Sequence, residues 1–304
     1  MNPSDPRFVA LAFGRRMDIL ADELEELGAS VVNSHDEASC LSQLDSIRDV
    51  SVLVLSGDMG RESASSVLAT SKRRYGSLPA IWVGGLLDGA PLSDFRATPD
   101  AILHEPLSAG VVHAKMRELL LGPYSGTAAA LLQRLVGDVV RESYALTSTP
   151  SVVRVNAIHR MVNDVNTIVA FCGTGISGRI LVSADESTLL RIYRRAVTGD
   201  RTPGRREAED LAGEIANLAA GKLKFAFDQF GVVCEIGTPL VVGRTGVVLR
   251  PSHGNAALCA ELDGEYGSLR AELTIDRCGQ EQSERLAAAL VEPSFERVSE
   301  VCFF

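Results

Sequence analysis

Residues 1–120 alternate short, continuous apolar runs with helix-periodic stretches, and this alternation restricts the fold more than any single motif. Phe8–Phe13, Ser30–Asn33, Val50–Leu55, Pro79–Val83 and Asp100–Leu103 read as strands. Between them, Met17–Leu27, Glu37–Leu44, Glu62–Tyr75 and Gly110–Leu121 place apolar residues at helical spacing, and Gly28 stands where a C-cap glycine stands. Strands that are apolar on both faces and separated by helices form parallel sheets covered on both sides. The spacing therefore predicts a doubly wound, five-stranded parallel α/β domain over residues 1–122.

The pattern changes after Gly122-Pro123-Tyr124-Ser125-Gly126, a Pro/Gly-rich boundary. A helix is predicted over Ala128–Tyr144 and a turn over Thr147–Pro150. Strands follow at Val152–Ile158, Thr167–Phe171 and Ile176–Ser183, the last two joined by a Gly-rich turn. A helix from Asp185, a plausible N-cap, to Val197 and a charged loop through Arg206 lead into a long helix. Pro239–Val242, Ala256–Leu262 and Ser268–Ile275 complete a mainly antiparallel sheet, the last two as a hairpin around Asp263-Gly264. Long helices packed on an antiparallel sheet make an α+β domain over 127–278. Residues 279–304 form a tail with a short helix over Glu281–Leu290, ending Val-Cys-Phe-Phe.

Composition excludes several classes of function. A net charge of −9 opposes nonspecific nucleic-acid binding. No apolar run reaches the roughly 18 residues of a membrane span, and the first residues lack a signal-peptide pattern, so a cytoplasmic chain is expected. Six cysteines (Cys40, Cys172, Cys234, Cys259, Cys278, Cys302) are scattered without a C-x-x-C, and are expected as reduced, buried thiols. His159 and His253 stand in no catalytic spacing and read as structural. No phosphate loop, nucleophile elbow or metalloprotease helix occurs, so no metal or cofactor of its own is expected.

The stretch Glu207–Gly221 is where chemistry concentrates. Leu211, Ile215 and Leu218 recur at helical spacing as an apolar stripe. Glu214 and Asn217, three apart, share a helix face. A carboxylate can grip a cation on a partner, and an amide beside it can hold a water through one donor and one acceptor. The plain alternative is a pair of solvated surface residues.

Glu214-Ile215-Ala216-Asn217, Gly221 and the later Gly237-Thr238-Pro239 resemble the CheX/CheC/FliY family of chemotaxis phosphatases, CheX most closely, over Thr127–Cys278. Lys222 departs from the family, which often has Asn there, and is expected to alter the helix surface only. The helix over 128–144 has no Glu-x-x-Asn, which favours the single-site CheX type over the two-site CheC type. The resemblance implies a phosphatase acting on the phospho-aspartate of a CheY-like response regulator. Asn217 would orient the attacking water and Glu214 would engage the receiver's lysine. Magnesium would belong to the partner receiver, and the protein would be a homodimer joined through sheet edges.

The first 120 residues resemble a response-regulator receiver, with Leu103-His104-Glu105-Pro106-Leu107-Ser108 similar to its closing Lys-Pro turn. The family's acidic pair is replaced by Phe13 and Gly14. Its phospho-accepting Asp aligns with Ser56, its Thr or Ser with Gly84, and its lysine with Glu105. The resemblance thus implies a pseudo-receiver, its fold kept and its phosphorylation lost, with Asp58 as an acceptor only in a shifted register. Two function classes remain: a phosphatase with a regulatory or targeting pseudo-receiver, and a non-enzymatic signalling adaptor that binds receivers or other signalling proteins.

Overall fold

In the computed structural model, residues 6–76, 78–84, 97–121, 126–150, 152–158, 160–161, 163–196, 202–243 and 256–289 are described. Strands and helices are numbered in chain order. The chain divides into two compact units. The first comprises Met1–Gly122, Val152–Val162 and Gly246–Cys259; the second comprises Pro123–Ser151, Asn163–Thr245 and Ala260–Phe304.

In the first unit, burial on both faces selects a parallel sheet. All of β3 (Val52–Ser56) and β4 (Ala80–Val83), and all of β1 (Phe8–Phe13) except Val9, are buried. With β2 (Ala29–Ser34) and β5 (Ala101–Leu103) they form a parallel sheet of order β2-β1-β3-β4-β5. This is the architecture the alternation predicts. The connecting helices are α1 (Ala21–Glu26), α2 (Glu37–Ser46), α3 (Arg61–Arg74) and α4 (Ala109–Leu121). Asp36 caps α2, its carboxylate accepting from the Ser39 N–H at 2.8 Å. The helix expected over 17–27 is broken: a 3₁₀ turn, Arg16–Ile19, precedes α1. The tighter turn leaves both Met17 and Leu24 in the core while Ile19 faces solvent.

The expected strand Val152–Ile158 shrinks to β7 (Arg154–Asn156), because its backbone groups go to several partners. The Arg7 N–H donates to the Val153 carbonyl at 2.8 Å, and the Val155 N–H donates to Arg7 at 2.9 Å. The Ala157 N–H donates to Val50 at 3.0 Å, and the Ser51 hydroxyl donates to the Val155 carbonyl. Arg160 donates to the carbonyls of Leu44 and Asp45 and lies over the Tyr75 ring. β7 also pairs antiparallel with Ala257–Cys259, the start of β12 (Ala257–Gly264).

The second unit begins with α5 (Gly126–Tyr144) and β6 (Thr149–Pro150). β8 (Val165–Gly173), β9 (Ile176–Ala184), α6 (Glu186–Ala196), α7 (Arg205–Gln229), β10 (Cys234–Ile236), β11 (Leu240–Val242), β13 (Gly267–Cys278) and α8 (Gln280–Ala289) follow. The sheet runs β10-β8-β9-β13-β12-β6, with β11 also on β8. β8, β9 and β13 pair antiparallel in continuous register, broken by one irregularity between Ile275 and Arg277. Phe171 of β8 meets Phe227 of α7 edge to face at 5.6 Å, so α7 covers the face that carries Val169 and Phe171. The β12–β13 hairpin turns at Glu265-Tyr266, two residues beyond the expected position. Gly264 remains in β12, where a Cβ would strike the Tyr266 ring and the Thr147 carbonyl, and Gly267 takes the positive φ of +117°.

Candidate functional site

A 25-residue helix places the candidate pair. It starts at Gly204, whose N–H donates to the Glu207 carboxylate at 2.9 Å, an anion in the first turn where the helix dipole favours one. It ends where Gly231 takes φ +68° and the Val232 N–H returns to the Phe227 carbonyl at 2.9 Å. Ala208, Leu211, Ala212, Ile215, Ala216, Ala219, Ala220, Leu223, Ala226 and Phe227 make the buried stripe. Leu218 lies at its margin, only half-buried, because small alanines rather than leucines fill most of the sheet-facing side.

At about 100° per residue, Glu214, Asn217 and Gly221 fall within one arc opposite that stripe. Glu214 and Asn217 are both exposed. Among the described residues Glu214 joins no ion pair and the Asn217 amide has no hydrogen bond. The structure thus brings together the two site residues expected from the sequence, with both polar ends unspent.

Glu214, Leu218 and Lys222 form an i, i+4, i+8 ridge on the flank of α7 that packs on α5. Lys222 does more than alter the surface, as first expected: it is buried, with Nζ 2.7 Å from the Glu142 carboxylate of α5. Tyr144, the last residue of α5, is 7% exposed. Burial pushes its phenol well above the ordinary range, and the Glu214 charge pushes it the same way. The hydroxyl oxygen is sealed from solvent and meets no hydrogen-bond partner. α5 stops immediately afterwards. Ala145 takes φ +51°, and the Leu146 N–H reaches back to the Val140 carbonyl at 3.4 Å.

A cleft of about 450 Å³ lies along the other flank of α5, lined by Arg134, Asp138, Arg141, Leu146, Ser148 and Leu262 among others. Glu214 and Asn217 do not line it. They stand on open helix surface, a geometry suited to a macromolecular partner rather than an enclosed small molecule.

In the first unit, Gly14 has φ +122°, and a Cβ there would collide with Ser56 and the Asp58 carboxylate. Phe13 is buried, and the Ser56 hydroxyl is buried without a hydrogen bond. Asp58 is exposed, its carboxylate accepting from the Arg15 N–H at 3.0 Å. The Gly84 N–H is used by the Leu103 carbonyl at 3.1 Å, and Glu105, exposed, precedes Pro106 across a cis peptide bond. No group of three or more His, Cys, Asp or Glu with metal-site geometry occurs among the described residues. Cys40, Cys234 and Cys259 are buried free thiols as expected, whereas Cys172 is exposed because its side chain alternates away from the helix-covered face of β8. His159, His253, Cys302, most of the Gly122–Gly126 boundary and the last residues of the tail lie outside the described residues.

The second unit is therefore an α+β domain presenting an open Glu-x-x-Asn helix, and the first is a receiver-like α/β domain. Residues 165–263 match the family model described as chemotaxis phosphatase CheX, which makes this part of the chain CheX-like. The matched span contains Glu214 and Asn217 but not α5. No curated protein matches the chain. Among solved structures, a putative chemotaxis protein from Desulfovibrio vulgaris Hildenborough is 17% identical with a TM-score of 0.45, covering 51% of this chain and 99% of its own. The CheX–CheY–BeF3–Mg complex from Borrelia burgdorferi gives 18% identity and a TM-score of 0.36, covering 48% of this chain and 96% of that one. A signal receiver domain of an HD domain-containing protein from Pseudomonas fluorescens Pf-5 gives 18%, a TM-score of 0.33, and 37% and 86% coverage.

Proposed function

We propose that the protein hydrolyses the phospho-aspartate of a CheY-like receiver by inserting the Glu214/Asn217 face of α7 into the partner's active site. The observation that carries this is the unengaged pair on an open helix inside the CheX-matched span. A phospho-aspartate in a receiver is already electrostatically prepared by the magnesium that receiver holds. What hydrolysis still needs is a water held in line with the leaving oxygen. The Asn217 carboxamide offers an acceptor and donors to hold that water, while the Glu214 carboxylate pairs with the receiver's lysine and sets the helix in register. No residue of this chain forms a covalent intermediate, and magnesium comes from the partner. The receiver-like unit acts as a targeting or regulatory surface, in a cytoplasmic homodimer.

The test is phosphate release from each receiver of the same genome, charged with acetyl phosphate and magnesium. Asn217→Ala should abolish the acceleration while binding to a beryllofluoride-charged receiver survives. Release unchanged by Asn217→Ala would refute the mechanism. Binding without release by the parent would make the protein an adaptor. Light scattering at low micromolar concentration decides the dimer.

A further inference from the structure

We propose that Arg206 and Asp210 are specificity-determining residues. They extend the Glu214/Asn217 face toward the start of α7 and select receivers that carry a carboxylate opposite Arg206 and a cation opposite Asp210. This rests on the phosphatase reading above and adds to it the charge pattern of the partner.

The surface follows from helix geometry. At about 100° per residue, Arg206, Asp210, Glu214, Asn217, Gly221 and Asp228 fall within an arc of about 80°, opposite the buried stripe. All but the glycine are exposed. One open stripe therefore runs along α7, with Asn217 near its middle. At about 1.5 Å per residue, Asp210 lies about 10 Å and Arg206 about 16 Å along the axis from Asn217. A small domain is about 30 Å across. A receiver seated on Asn217 thus covers Asp210 and meets Arg206 at its rim.

The fold spends neither charge on itself. Arg205, one residue earlier, is engaged within its own domain: it pairs with Glu209 at 2.8 Å and Glu186 at 3.6 Å, and donates to the Gly243 carbonyl at 2.9 Å. Among the described residues the side chains of Arg206 and Asp210 join no ion pair or hydrogen bond, although their i, i+4 spacing lets them meet. In the first turn of a helix a cation opposes the dipole, so Arg206 works against α7 rather than for it. On a docking face the same charge has a use, because a rim charge speeds encounter and rejects like-charged partners. Neither residue touches the water or the phosphoryl group. They act on encounter and register, and leave water placement to Asn217.

The test uses the full chain and each beryllofluoride-charged receiver of the same genome. For a receiver that binds, Arg206→Gln should weaken affinity about threefold and Arg206→Glu about tenfold at low salt. At about 0.5 M sodium chloride, where the screening length is only about 4 Å, the differences should close to under about twofold. Asp210→Lys should show the same salt-sensitive loss. In phosphate release the loss should appear in KM with kcat retained. Arg277→Glu makes the same change of net charge at an exposed site on β13, and should bind as the parent does. Reversing the receiver's surface carboxylates to lysine one at a time should find one change that restores binding to Arg206→Glu. Parent-like affinity of Arg206→Glu at low salt, an equal loss in Arg277→Glu, or no restoring carboxylate would each overturn the assignment and leave the phosphatase reading intact. A parent that binds receivers with this charge dependence but releases no phosphate would defeat the phosphatase reading and leave the docking charges standing. A parent that binds no charged receiver would overturn both.

Discussion

Lys222 Nζ lies 2.7 Å from the Glu142 carboxylate and fastens α7 to α5, with the lysine side chain 9% and the glutamate 29% exposed. The pair is neither a surface salt bridge nor a fully buried one, and its asymmetry decides what mutation does. Glu142→Gln leaves an ammonium in a nearly closed site without its counter-charge, whereas Lys222→Met leaves a carboxylate that can still turn to water. Glu142→Gln is expected to destabilise the protein by about 2 kcal/mol, between the values for exposed and buried pairs, and Lys222→Met by less. Urea denaturation of the two variants checks the order; a larger loss in Lys222→Met would show that the lysine's charge, not its burial, dominates.

Much of the fold is legible because burial leaves a mark at short range. Val52–Ser56 and Ala80–Val83 are apolar on both faces, and only a covered parallel sheet accommodates that. Glu214 and Asn217 are legible because helical spacing fixes a shared face. β10 leaves no comparable mark: Cys234–Ile236 is a three-residue edge strand with mixed burial, too short to show a period. Nor does the segment Val152–Val162, whose grouping with the first unit depends on Arg7, Val50 and Ser51, a hundred or more positions away. Lys222 is hidden for the same reason, since it takes its meaning from Glu142 on another helix.

Cys40 gives the stability a defined alkaline slope. Burial, then the charges of Asp36 and Glu37, push its thiol from 9.0 up to about 12. The folded state therefore holds a proton that the unfolded chain releases near 9. The sign follows directly: the contribution is fully present below pH 9 and is lost as pH rises from 9 towards 12. Urea midpoints should fall across that window, and less steeply in Cys40→Ala. Some slope should remain there, because Tyr75, Tyr144 and Tyr266 are raised too. Equal slopes in parent and variant would show that Cys40 does not govern the effect.

No phosphate should enter the receiver-like unit. The Ser56 hydroxyl is closed in and Asp58 is committed to the Arg15 N–H, while Phe13, Gly14 and Glu105 supply neither a magnesium site nor a cation for the phosphoryl oxygens. Incubation with acetyl phosphate and magnesium, followed by intact mass, should return the unmodified chain. A stoichiometric adduct mapped to residues 1–121 would restore this unit as a working receiver, and one at Asp58 would name the acceptor.

Gly221 separates what α7 needs for itself from what it offers a partner. A glycine inside a helix costs about 1 kcal/mol relative to alanine. The chain shows no compensation, because a Cβ built at Gly221 meets nothing within 4 Å. Gly221 lies one turn beyond Asn217 on the open arc, so the missing side chain leaves room for a partner's backbone to come close to the Asn217 amide, which is proposed to hold the water. Gly221→Ala should therefore raise stability by about 1 kcal/mol and weaken receiver binding. Gly213→Ala is the control. It lies off that arc, and its Cβ would make an ordinary 3.9 Å contact with Val241, so it should gain stability at unchanged affinity. Titration of a beryllofluoride-charged receiver against both variants, alongside their urea midpoints, distinguishes the two roles. If both alanines stabilise equally and bind equally, the open space at Gly221 is not a docking feature, and the partner approaches α7 through Glu214 and Asn217 alone.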